Sequence, residues 1–322
     1  MDNDEFIRLT DPFRRELLAH CYRLLGSVDD AEDLVQETYL RAWRSYGGFE
    51  GRSSLRTWLY RIATNACLTA LQSRSRRVLP SGIGDPCDDP DAPAAEAGSE
   101  IRWLQPLPDA MVSTDSGDPA AIVASRDQLR LALIACLQLL PPQQRAVLIL
   151  RDVLAFPAAE VAAMLDTTTA AVQSALQRAR ARIDDVAPVA EEVTPPEEPQ
   201  LRALLDQYVA AFENSDLPAL EKALRKDATL EMVGSTTWFS GNDTCLRFVS
   251  RVLGSAGDWR MLRTTLNGQP GVAAYLRGAD GALRAFGVAV LDITPTGIAG
   301  IVVFGDPQLV TRLGFPPVPP AA

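Results

Sequence analysis

Residues 52–77 concentrate groups that can grip a nucleic-acid strand. Arg52, Arg56, Arg61, Arg74, Arg76 and Arg77 are phosphate partners, Thr57, Thr64, Asn65, Thr69 and Gln72 can meet base edges, and Trp58 and Tyr60 offer aromatic faces for stacking. A second set follows at Thr168, Thr169, Ala170, Gln173, Ser174, Gln177, Arg178, Arg180 and Arg182. Glutamine and arginine there have the geometry for bidentate contacts with adenine and guanine in a major groove. Covalent chemistry is poorly supplied. His20 is the only histidine, which removes Ser-His-Asp, Cys-His and multi-histidine metal sites and leaves His20 as a packing residue. Cys21, Cys67, Cys87, Cys136 and Cys245 show no CxxC or Cys/His spacing, so neither a disulfide framework nor a zinc site is expected. No metal and no cofactor is implied.

The net charge of −10 opposes nucleic-acid binding only at first sight, because the charge is segregated. Between Arg41 and Arg77 eight arginines face the single acid Glu50. Two Pro-containing stretches are strongly acidic, Asp85 to Asp118 with nine acids against Arg102 alone and Asp184 to Glu198 with six acids and no base, and read as linkers. The expected organisation is a first domain at 8–79, an acidic linker at 80–121, a second domain at 122–187, a Pro-rich linker at 188–199 and a third domain at 200–316. No signal-like start and no apolar run near the ~20 residues of a membrane span is present, so a cytoplasmic location without a membrane partner is expected.

The elements that must position these groups follow from apolar periodicity. Leu17, Leu18, Cys21, Leu24 and Leu25 mark a helix stopped by Gly26. After a cap at Ser27, Ala31, Leu34, Val35, Thr38 and Ala42 form one stripe of a second helix, and Asp30, Asp33, Gln36, Glu37, Arg41 and Arg44 occupy its polar face. That face is either a partner surface or a solvated one laced by i,i+4 pairs. Gly47-Gly48-Phe49 breaks the helix, and Ser53 or Ser54 caps a third helix that carries Arg56 to Gln72. Further on, 129–140 is an apolar helix and Pro141-Pro142 opens another over 143–153. Ala158–Leu165, a turn at Asp166 and Thr168–Ile183 then satisfy helix-turn-helix constraints, with Ala162 at the crossing and Leu165 and Val172 in the core. An ordinary helical hairpin with solvated arginines is the bland alternative. Helices at 201–212 and 217–224, a strand at 227–233, a helix at 244–253 and Gly-punctuated strands to Phe304 make the last part an α+β unit.

The strings DAEDLVQETYLRAW (Asp30–Trp43) and SLRTWLYRIATN (Ser54–Asn65) resemble region 2 of extracytoplasmic-function RNA polymerase sigma factors. LLPPQQRAVLILRD (Leu139–Asp152) and AVQSALQRAR (Ala171–Arg180) resemble sigma region 4. The implied fold is multi-domain: two all-α sigma domains, a region 2 helical bundle and a region 4 helix-turn-helix. The resemblance implies binding to core RNA polymerase, through the clamp of the largest subunit and the flap of the second-largest, and to promoter DNA. Asp30, Asp33, Gln36, Glu37, Arg41 and Arg44 would dock on the clamp. Arg52, Arg56, Arg61, Thr64 and Asn65 would read the minus-ten strand, Asn65 capturing a flipped base. The set from Thr168 to Arg182 would read the minus-thirty-five duplex. The long acidic linker with WLQPLPD (Trp103–Asp109) departs from minimal members and is similar to that of sigma factors with a C-terminal extension. Trp103 is read as anchoring the chain to a neighbouring apolar surface, and the linker acids as able to occupy basic surfaces before DNA does.

Tyr208–Asp216, Asp227–Glu231, Trp238–Gly241 and Asn267–Pro270 resemble the α+β SnoaL-like, or NTF2-like, cone fold. That fold hosts ketosteroid isomerases, in which Tyr208 would match an oxyanion tyrosine. Their general base would fall at Met232 or Val233 and their later acid near Ala289 or Val290, and apolar residues cannot move a proton. Glu231 or Asp292 would serve only in a rearranged geometry. No enzymatic activity is therefore expected, and Tyr208, Met232, Trp238 and Phe304 are candidate lining for a small-molecule pocket. The fused domain puts control by a dedicated anti-sigma protein in doubt. Two rivals stay open: a helix-turn-helix regulator with a ligand domain acting without polymerase, and an NTF2-like enzyme tethered to a DNA-binding module.

Overall fold

The computed structural model describes residues 3–113, 127–186 and 198–320. Parts of the expected segments, 114–121 and 188–197 of the linkers and 122–126 and 187 of the second domain, lie outside the described residues. The chain forms two compact units: Met1–Arg77 with Asp109–Val189, and Val78–Pro108 with Ala190–Ala322.

The first unit is helical. α1 (Asn3–Thr10) brings buried Phe6 edge-on to Trp43 and Tyr46. α2 (Arg14–Leu25) ends at Gly26, whose φ of 66° is the left-handed conformation that glycine adopts without a Cβ clash. Ser27 Oγ accepts the Asp30 N–H and starts α3 (Val28–Ser45), and Ser54 Oγ accepts the Thr57 N–H to start α4 (Leu55–Leu71). Leu17, Leu24, Val35, Ala42, Leu59 and Ala63 close the core among these helices. His20 lies fully inside. Thr64 Oγ1 donates to the Tyr60 carbonyl, so His20 Nε2–H donates to Thr64 and Nδ1 keeps the bare lone pair. Burial first, then the charges of Arg23 and Arg56, push His20 down to about 3, so the ring is neutral.

α5 (Leu131–Gln138), α6 (Pro142–Leu148) with its proline in the first turn, and a π-helical turn at Ile149–Val153 precede the expected hairpin. α7 (Ala158–Met164) and α8 (Thr169–Val186) are joined through Asp166 at φ 51°. Met164, rather than Leu165, takes the buried place at the end of α7. Arg145 is buried on α6 and donates to the carbonyls of Leu24, Gln138 and Leu140 and to the Gln138 side chain. Those bonds tie α6 to the end of α2 and to the close of α5, and burial lowers Arg145 to about 10 without discharging it.

The second unit packs α9 (Glu198–Glu213), α10 (Leu217–Ala223) and α11 (Asn242–Val252) with a six-stranded sheet. Its strands are β3 (Leu224–Val233), β4 (Trp238–Ser240), β5 (Trp259–Leu266), β6 (Gln269–Arg277), β7 (Leu283–Thr294) and β8 (Gly297–Phe304), in the order β4-β3-β8-β7-β6-β5. Only the β3–β8 pair is parallel. A closing helix, α12 (Pro307–Arg312), follows. The acidic segment expected as a linker is an integral layer of this unit. It opens with the short ribbon β1 (Arg77–Val78) and β2 (Arg102–Trp103). Ser81 N–H then bonds to Glu231, Cys87 N–H to the Trp238 carbonyl and Ala95 N–H to Thr237. Leu107 exchanges two hydrogen bonds with Asn267, which occupies φ 56° in an Asn-Gly hairpin turn between β5 and β6. Leu104 and Leu107 are fully buried, whereas Trp103 is half-buried, so the two leucines are the principal anchors.

Candidate nucleic-acid interface

α4 presents its polar face as expected at Arg61 and Asn65, both exposed. A cleft of about 560 Å³ runs between the start of α4 and α7, with Arg52, Thr57, Trp58 and Arg61 on one wall and Glu160 and Ala163 on the other. Thr57 Oγ1 donates to Glu160 Oε2 at 3.0 Å, and Asn65 Nδ2 donates to the Met164 carbonyl at 3.2 Å. Two expected strand contacts are corrected. Thr64 is inside the core, where its hydroxyl is used by His20 and Tyr60, so it cannot reach a base. Tyr60 is likewise fully buried, its hydroxyl donating to Glu16. Arg56 is half-buried between Glu16, bonded through Nε and Nη2, and the rings of Tyr60 and Phe156 at 4.8 and 4.9 Å. Burial works against the Arg56 charge, yet the Glu16 bond and Tyr60 outweigh it and raise the guanidinium.

The outer face of α3 keeps Asp33, Gln36, Arg41 and Arg44 exposed, with Glu37 bonded to Arg41 at 2.7 Å. Asp30 departs from that set: it holds Arg74 and Arg77 at 2.9 and 2.8 Å at the N-terminal turn of α3, which makes it a structural acid. Two exposed apolar side chains on α3 were not foreseen. Leu40 and Trp43 are 51% and 40% exposed, and Leu40 follows Asp33, Gln36 and Glu37 at helical spacing. The signal was available, since Leu40 lies off the buried stripe of Ala31, Val35 and Ala42.

On α8, Val172, Leu176 and Ala179 are buried while Thr168, Thr169, Ala170, Gln173, Ser174, Gln177, Arg178 and Arg182 are exposed. Arg180 is exposed but directed to Asp152 by two bonds of 2.7 and 2.8 Å. A helix with one buried stripe and an adjoining row of glutamine, serine and arginine can enter a major groove.

Residues 9–77 match the model of Sigma-70 region 2 and residues 130–183 that of Sigma-70 region 4. Over 315 residues the chain is 47% identical to the ECF RNA polymerase sigma factor SigG of Mycobacterium tuberculosis, covering 97% of this chain and 84% of that protein. This chain belongs to the extracytoplasmic-function sigma factors. It is also 28% identical to M. tuberculosis SigJ over 88% of its length and 86% of that relative. The crystal structure of SigJ shares its fold with a TM-score of 0.59 at 23% identity, covering 96% and 98% of the two chains. The sigma factor directs promoter-specific initiation of transcription by RNA polymerase. Among the described residues no helix is long and apolar enough to cross a membrane.

The second unit of the sigma factor encloses an apolar cavity of about 370 Å³. Tyr208 and Met232 line it, but the two other expected residues do not. Alternation along β8 sends Ile301 and Val303 to the cavity and Phe304 to the other face, and on β4 Phe239 faces the core while the Trp238 indole donates to the Gly84 carbonyl. Glu231 is turned from the cavity toward Ser81, and burial raises its carboxyl. The lining includes Met232 and Ala289 at the positions where an isomerase would need acid and base, and it contains no carboxylate or imidazole.

Proposed function

We propose that this sigma factor engages core polymerase through the Asp33–Arg44 face of α3, the minus-ten strand through Arg52, Arg61 and Asn65, and the minus-thirty-five duplex through α8. The observation that carries this is the division of α8 into a buried stripe and an exposed row at Gln173, Ser174, Gln177 and Arg178. The α4–α7 contact supports a resting form in which Asn65 and Thr57 are occupied and must be released before a strand is read. The acidic segment and the domain that holds it modulate this release, and the lack of a carboxylate or imidazole in the cavity lining favours binding over turnover there. Run-off transcription with core polymerase tests the assignment. Asn65→Ala and the pair Gln177→Ala with Arg178→Ala should each weaken promoter-dependent transcripts, the pair by about 1–3 kcal/mol per lost base contact. Promoter-dependent transcription unaffected by these changes would remove both site assignments, and equal activity of a chain ending near residue 190 would remove the modulatory role.

A further inference from the structure

The cavity of the second unit holds one polar side-chain group that the fold leaves unused. Tyr208 is 2% exposed, packs on Phe212 at 4.9 Å between ring centroids, and lines the cavity, yet its hydroxyl makes no hydrogen bond with any described residue. The hydroxyl keeps accessible surface and opens on the cavity, where it can donate to an acceptor that enters. The only other N–H or O–H among the lining side chains, Trp259 Nε1, is already donated to the Val252 carbonyl. The remaining lining is aliphatic, aromatic or thioether, with no charged side chain, so an ionised ligand would be desolvated without compensation. Val252, 43% exposed, is the exposed residue of the lining and marks the mouth. At interior packing density, 370 Å³ admits about 270 Å³ of ligand, the size of two or three rings.

Two walls of this cavity also hold the acidic segment. On α11, Phe248, Val249 and Val252 face the cavity, while Arg247 bonds to Asp91 at 2.5 Å and Arg251 to the Pro90 carbonyl at 2.6 Å. On β3, Leu230 and Met232 line the cavity, and Glu231 between them accepts the Ser81 N–H at 2.8 Å. Displacing either wall therefore moves the anchors of segment 81–91.

We propose that the cavity is a binding site for a neutral, largely apolar, ring-sized ligand carrying one hydrogen-bond acceptor for Tyr208, and that α11 and β3 transmit its occupancy to the docked acidic segment. This goes beyond the assignment of the sigma factor's promoter and polymerase surfaces, and its test needs neither partner. The full chain is titrated with N-phenyl-1-naphthylamine, which is neutral, and with 8-anilinonaphthalene-1-sulfonate, which adds a sulfonate to the same skeleton. Fluorescence should report saturable binding of the neutral probe at least tenfold tighter than the anionic one, lost in Ala289→Trp. Displacement by 2-acetylnaphthalene should be about three- to tenfold tighter than by 2-ethylnaphthalene, and the difference should vanish in Tyr208→Phe. Hydrogen exchange at the Ser81 and Cys87 amides should change at least threefold on saturation, with α8 amides as the unaffected control. Absent or non-saturable binding of the neutral probe, equal binding of both probes, or binding retained in a folded Ala289→Trp overturns the site. A difference between the two displacers that persists in Tyr208→Phe overturns the role of Tyr208. Saturable binding with unchanged exchange at Ser81 and Cys87 overturns the transmission to the segment.

Discussion

Replacing Glu160 with alanine separates α7 from α4 without touching a residue assigned to DNA. Glu160 accepts from Thr57 at 3.0 Å across the cleft, and the Asn65 bond to the Met164 carbonyl is the other polar tie between these helices. A part-buried hydrogen bond to a carboxylate contributes about 1–2 kcal/mol. Its loss multiplies the ratio of parted to closed helices by about 5 to 30. The cleft is open to water, so a freed Thr57 hydroxyl is rehydrated and the lower half of that range applies. At sub-saturating sigma factor, where the closed form dominates, the initial rate of run-off transcription should rise by about 5- to 10-fold. Thr57→Val with Glu160→Ala, each alone and together, should give a coupling energy of about 1–1.5 kcal/mol for the closed form. Transcription from Glu160→Ala within twofold of the parent, with an unchanged unfolding midpoint, would refute gating of α4 by α7.

Other perturbations address single links of the same chain of reasoning. His20 is neutral in the fold with a pKa of about 3, against 6.5 unfolded. A depressed histidine costs stability as pH falls below 6.5, because only the unfolded imidazole takes up a proton, and the cost levels off below about 3. Between pH 7 and pH 5 the parent should therefore lose about 2 kcal/mol more than His20→Gln in denaturant titrations, and parallel losses would contradict it. Asn267→Ala removes the acceptor of the Leu107 N–H and leaves alanine at φ 56°, together about 2 kcal/mol. Limited proteolysis should then cleave segment 78–108 faster than in the parent. Leu40→Ala deletes half-exposed apolar surface from the side of α3 proposed to meet polymerase and should weaken core-polymerase binding by about three- to tenfold, measured by fluorescence anisotropy, with no change in unfolding midpoint.

Local signals that depend on neighbours in the chain were legible before any coordinates. Gly26 as a stop, Ser27 as a cap, Asp166 in a left-handed turn and the buried stripe of α8 appear where their spacing puts them, and of the two candidate caps Ser53 and Ser54 the structure uses Ser54. The helices, the helix-turn-helix and the α+β character of the last part follow from such periodicities. Thr64 shows the limit. Its position on the polar side of α4 is compatible with either a base or a buried imidazole, and only the approach of α2 with His20 decides between them. Arg56, Asp30 and Glu231 repeat the lesson, since each is a charged side chain whose partner is distant in sequence: Glu16, Arg74 with Arg77, and Ser81.

The residue types and their order determined the helices, the helix-turn-helix and the α+β character of the last part, because capping and periodicity are properties of contiguous sequence, while the two sigma regions were legible through the family resemblance of strings such as Asp30–Trp43 and Leu139–Asp152. Tertiary structure alone decided which polar groups remain available. It gave Thr57 and Asn65 partners on α7, bound the acidic segment to β3, β4 and α11, and turned Phe304 and Trp238 from the cavity while leaving the Tyr208 hydroxyl within it. Hydrogen bonding and burial depend on what the rest of the chain brings within a few ångströms, and sequence distance carries no record of that.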